Sequence, residues 1–188
     1  ALCILSVYGS EICGNRLNYN LTYRTDQVVR SSMQNATEER WLTIRNHLRH
    51  LAEASPVVFL DCLEEELSKA DPPIKAIMGS VSGGVSGDCL RTDLLWALET
   101  LAWHSEHFAR VAEIVLKLRK LEVDDNWTNS PKNTAEALFR AWLPATALSV
   151  AERMQVLRRL SVDYRGPVMD VCISLLPISG RTASRTSR

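Results

Sequence analysis

Four histidines stand in two pairs of equal spacing, His47-x-x-His50 and His104-x-x-His107. Residues three apart share a helix face, so each pair could offer two imidazoles to one metal ion. A catalytic zinc site takes three protein ligands and leaves one position open. Only the second pair has an acidic neighbour in sequence, Glu106. His104, His107 and Glu106 thus define one possible site, that of a small helical metal-dependent enzyme. The competing reading puts the histidines at helix ends and on the surface. That reading is preferred here, and the expectation is a non-enzyme with no catalytic residue, metal or cofactor.

Other chemistry-bearing patterns are incomplete. Gly79-Ser-Val-Ser-Gly-Gly-Val-Ser-Gly87 places Gly79 and Gly84 at the spacing of a phosphate-binding loop, with Ser86 in its last position. Val85 occupies the place of the lysine that meets the β- and γ-phosphates, and no apolar strand precedes it. A glycine-rich surface loop is expected instead. There is no Gly-x-Ser-x-Gly elbow, and no cysteine stands in a nucleophile context. Glu64-Glu65-Glu66 reads as a solvated helix face. Asp124-Asp125 lacks the spaced oxygens of a calcium loop.

Five cysteines, Cys3, Cys13, Cys62, Cys89 and Cys172, are odd in number and widely spaced, without a Cys-x-x-Cys. They read as reduced thiols of a cytoplasmic protein. Asn20, Asn35 and Asn126 open Asn-x-Ser/Thr triplets, taken as chance occurrences in that setting. Twenty-two basic residues balance twenty-two acidic ones. A chain without basic excess is not expected to bind nucleic acid or an anionic membrane surface.

The tryptophans carry more information. Trp41, Trp96, Trp103 and Trp142 fall in apolar patterns and read as core. Trp127 falls in the polar, turn-rich loop Asp124–Asn133. A tryptophan in such a loop either plugs a neighbouring hairpin or marks a contact surface. Asn126, Trp127 and Asn129 are therefore the candidate binding residues.

The elements that must position these groups are helices. Thr37 is an expected N-cap, and Trp41, Ile44, Leu48, Leu51 and Ala52 recur with helical period over 38–54. Ser55 is an expected cap, with Pro56 in the first helical position of 56–69. A short helix is expected over 74–78. Further helices are expected over 90–103 and 105–121, the latter capped by Ser105-Glu106. Another opens at Pro131 and carries Ala135, Leu138, Phe139 and Trp142 as far as Leu143-Pro144. The last two cover 150–162, capped by Ser149, and 167–176. Short links imply antiparallel pairs, 38–54 with 56–69, 90–103 with 105–121, and 150–162 with 167–176.

The expected fold is all-α, antiparallel helix hairpins stacked as an irregular α-solenoid or bundle. Residues 36–178 form its domain, and 179–188 a disordered basic tail. Residues 1–35 are an ill-defined lead-in, within which Leu17–Tyr23 alternates like a strand. The non-Met start suggests a segment of a longer protein.

Leu94–Trp103, Asn126–Pro131, Phe139–Pro144 and Ile173–Pro177 form a series of tryptophans and prolines that resembles the helical, HEAT- or TPR-like segments of large bacterial proteins. Some of those look like P-loop regulatory ATPases of antiphage defence. The resemblance covers residues 88–188, and the TPR residue signature is missing. It implies a scaffolding or sensing role through a protein partner or through other domains of the parent chain. The alternative is a regulatory or structural domain packing within its own chain.

Overall fold

The structure, a computed structural model, describes residues 2–6, 8–9, 20–81, 87–121, 123, 125 and 127–176. Its α-helices are α1 (Leu21–Met33), α2 (Glu38–Ile44), α3 (Leu48–Ala54), α4 (Pro56–Glu66), α5 (Thr92–Leu101), α6 (Ser105–Leu118), α7 (Pro131–Phe139), α8 (Val150–Leu160) and α9 (Arg165–Ser174). Short 3-10 turns lie at Arg45–His47, Pro73–Ile77 and Arg119–Leu121. The only strands among the described residues are β1 (Ser80–Val81) and β2 (Asp88–Cys89), an antiparallel pair with Ser80 opposite Cys89. The chain is all-α apart from this ribbon. No helix of the described residues is long and apolar enough to cross a membrane.

The chain divides into two compact units, residues 1–97 and 98–188, and the division falls inside α5. The sequence reading keeps 36–178 together and sets 1–35 apart. The first unit instead contains α1, which packs on α4, α3 and α2. Leu21–Tyr23 is accordingly the first turn of a helix and not a strand. Asn20 supplies the reason: its side-chain oxygen accepts the Tyr23 N–H at 2.9 Å, an N-cap that starts the helix. Thr25, Val29 and Met33, four residues apart, then form its buried face. Residues 2–6, 8 and 9 are also helical. Leu17–Tyr19, most of the glycine-rich loop (82–86) and the basic tail lie outside the described residues.

In the first unit the Thr37 cap forms, its hydroxyl accepting the Arg40 N–H at 3.3 Å. A 3-10 turn interrupts the expected continuous helix 38–54. Ser55 precedes Pro56 as expected but makes no cap; its hydroxyl donates to Asp26 of α1 instead. The core holds Trp41, Leu48, Phe59, Leu60, Leu63, Ile74, Ile77 and Met78, all without exposed surface. α2 packs chiefly on the Pro73–Ile77 turn.

Glu66 departs from the expected solvated acidic face. It is 2% exposed. One carboxylate oxygen accepts the Trp41 indole N–H at 3.2 Å and the Ile74 backbone N–H at 3.0 Å. The other accepts from the Lys69 ammonium at 2.6 Å. A carboxylate survives burial only with such partners. Glu65 remains exposed and Glu64 is half-buried, so the run is split by helical phase.

In the second unit α6 packs chiefly on α7, and α7, α8 and α9 pack on one another. Phe108 and Phe139 meet edge to face with centroids 5.6 Å apart. Val111, Val115, Leu138, Leu157, Leu160, Val168 and Val171 complete the buried layer. The Ser149 cap is a full capping box with Glu152, which satisfies two otherwise orphan backbone donors. The Ser105-Glu106 cap does not form as expected. His104 holds the cap position without a side-chain bond, and Ser105 is the first helical residue.

Candidate functional site

The expected binding loop is partly outside the described residues: Asn126 is among those not described. Trp127 is exposed, and its backbone N–H donates to the Asp125 side chain at 3.3 Å. Asn129 is half-buried. The loop re-enters α7 through Ser130, whose hydroxyl accepts the Asn133 N–H at 3.2 Å, while the Asn133 amide donates to the Thr128 carbonyl at 2.7 Å. Trp127 is thus displayed close to a firmly anchored helix start.

The histidine pairs are brought together as their spacing implies. His47 and His50 have ring centroids 6.5 Å apart, His104 and His107 6.1 Å. His107 is buried, His104 exposed, and Glu106 approaches His107 Nε2 at 3.4 Å. Burial pulls the His107 imidazole below its ordinary value; Glu106 opposes this, and His104 and Arg110 add to it. No cluster of three or more His, Cys, Asp or Glu side chains able to hold a metal ion occurs among the described residues.

The connection from α7 to α8 was not marked by sequence reasoning as a site. The helix expected to run through Trp142 ends at Phe139, and Arg140 turns to extended backbone. The cause lies fifteen residues on. Arg153 of α8, 2% exposed, donates to the Leu138 carbonyl at 3.4 Å, to the Arg140 carbonyl, and to Ser149 O at 3.4 Å. One guanidinium therefore satisfies carbonyls that the ended helix leaves open. Burial lowers the pKa of Arg153.

Beyond this clamp the loop is tied down again. Ala145 N–H donates to Ala137 O at 3.3 Å, and the buried Thr146 hydroxyl to Ala102 O at 2.7 Å. Between the two anchors, Leu143 sits at φ 49°, in the left-handed region. Trp142 and Leu143 are 44% and 42% exposed. Trp142 is therefore not the core residue its apolar setting suggested.

α9 has apolar residues on two faces. Val168 and Val171 are buried, whereas Met169 and Ile173, at i and i+4, are 52% and 58% exposed, and Leu176, two residues past the end of the helix, is 57% exposed. The helix is held from below: Arg119 donates to Pro167 O at 2.9 Å and to Asp170 at 3.1 Å. Tyr164, its N-cap residue, donates its hydroxyl to Glu113 of α6 at 3.1 Å. Burial pushes the Glu113 carboxyl up, but donation from Lys117 and Tyr164 outweighs it and holds the group below its ordinary value. Single exposed leucines are ordinary on protein surfaces, whereas here three large apolar side chains stay exposed on and just past one anchored helix.

Compared with protein-family models, with curated proteins and with solved structures, the chain matches none.

Proposed function

We propose that the chain is a helical-repeat, protein-binding or scaffolding segment of a larger bacterial protein, working as its sensing part. What carries this reading is the exposed apolar group formed by Met169 and Ile173 of α9 and Leu176 just past its end, beside the face that packs inward. Stacked helical hairpins bind through surfaces of this kind, where apolar side chains at i, i+4 and i+7 receive a partner helix. The bacterial and defence setting rests on the resemblance of residues 88–188 alone.

Serine at Met169, Ile173 and Leu176 tests the reading. These positions face solvent, so far-UV circular dichroism is expected to stay unchanged while capture of a protein partner is lost. A triple variant that captures the same proteins as the parent chain removes the reading.

A further inference from the structure

We propose that α9 is a docking-dependent helix, which opens as one unit while the rest of the second unit stays folded, and which a polar clasp on and just after α6 holds closed. The reason begins with the helix's own residues. α9 spans ten residues, Arg165–Ser174. Helices of that length are marginal in water even when built from good helix formers. α9 has few of these: Val168, Val171 and Ile173 are β-branched, and Gly166, Cys172 and Ser174 are also weak. Tyr164 holds its N-cap position without a side-chain cap bond. The neighbouring α8 buries little more, but it has a full capping box and the strong helix formers Ala151, Glu152, Met154, Gln155 and Leu157. α9 therefore takes its helical form from docking.

That docking has a thin apolar share. Val168 and Val171 are the buried residues of α9, whereas eight of the fourteen residues of α6 are buried. The rest of the hold is polar and comes from α6 and the turn that follows it. Arg119 donates to Pro167 O at 2.9 Å and to Asp170 at 3.1 Å. Tyr164 donates to Glu113 at 3.1 Å, and the Lys120 ammonium lies over the tyrosine ring, 5.6 Å from its centroid. Asp170 is exposed, so water competes for its part of the clasp. A helix of weak propensity held by two valines and such a clasp belongs to the low end of the stabilities found within one fold. For binding, the inference rests on the reading above. Met169 and Ile173 share a face only while α9 is helical, so the clasp controls whether that contact face exists. A partner seated on it binds the docked state and shifts the balance toward it.

The test is native-state hydrogen exchange of the full chain, read by mass spectrometry with no partner present. Residues 168–174 are expected to exchange at least roughly a hundred-fold faster than residues 111–118 of α6. Arg119→Gln removes two bonds of the clasp and is expected to quicken exchange over 168–174 by roughly a further ten-fold. Val171→Pro breaks α9, and α6 and α7 are expected to keep protection well above that of the unfolded chain. Exchange over 168–174 at the pace of α6 overturns the proposal. So does loss of protection in α6 and α7 with Val171→Pro, or parent-rate exchange over 168–174 in both Arg119→Gln and Glu113→Gln. The reading it rests on fails separately. An α9 that opens only with the whole unit leaves partner capture through Met169 and Ile173 standing, whereas a serine variant with the parent's capture removes that reading and leaves the exchange result in place.

Discussion

The indole of Trp41 donates to the carboxylate of Glu66 across 3.2 Å, with both side chains withdrawn from solvent. The same oxygen receives the Ile74 N–H. One carboxylate thereby joins α2, the end of α4 and the Pro73–Ile77 turn, the three elements that close the core of the first unit.

Removing that carboxylate leaves two buried donors without an acceptor. Glu66→Leu is expected to cost the first unit about 3 kcal/mol, seen as a lower midpoint in chemical denaturation. Trp41→Phe keeps most of the ring volume and removes only the N–H, so a smaller loss of about 1–2 kcal/mol is expected. A Glu66→Leu variant as stable as the parent chain would show that the three bonds do not hold these elements together.

Much of the scaffold was legible from local chemistry. Thr37, Pro56, Pro131 and Ser149 each mark a helix start because capping and proline geometry act within one turn. What escaped the sequence was decided by distant residues. α1 buries only three positions, one of them Thr25, and leaves Tyr23 and Val28 exposed, so its helical period is faint beside the alternation of Leu17–Tyr23. Glu66 resembles its acidic neighbours until Trp41, twenty-five residues earlier, and Ile74 are placed around it. Phe139–Trp142 reads as continuous helix because nothing nearby in sequence announces the Arg153 clamp. Of the candidate binding residues, Trp127 was recognisable as a tryptophan among turn formers. The α9 stripe was not separable by period from the buried face it flanks.

Arg153 should govern the order of the connection it clamps. Arg153→Met retains volume but leaves the Leu138 and Arg140 carbonyls without this donor. Amide exchange over 141–148 is expected to quicken, with a stability loss of about 2–3 kcal/mol. Unchanged exchange in that segment would place the control of the loop elsewhere.

Acid should weaken the second unit through His107. Burial, the leading cause, holds its folded-state value below that of the unfolded chain. Above about pH 6.5 both states are neutral and nothing is lost. As pH falls through the unfolded value, the unfolded chain takes up the proton first, and stability drops until the lower folded value is passed. Between about pH 7.5 and 5.5, the parent chain is therefore expected to lose more stability than His107→Gln. Parallel pH curves for the two proteins would contradict this.

The most direct test of the binding account is site-specific photocrosslinking in cells that express the chain. A benzophenone side chain at Ile173 is expected to give a discrete crosslinked protein, and the same group at Gln155, an exposed polar position of α8, none. No adduct from Ile173, or the same adducts from both positions, would contradict recognition through the α9 face.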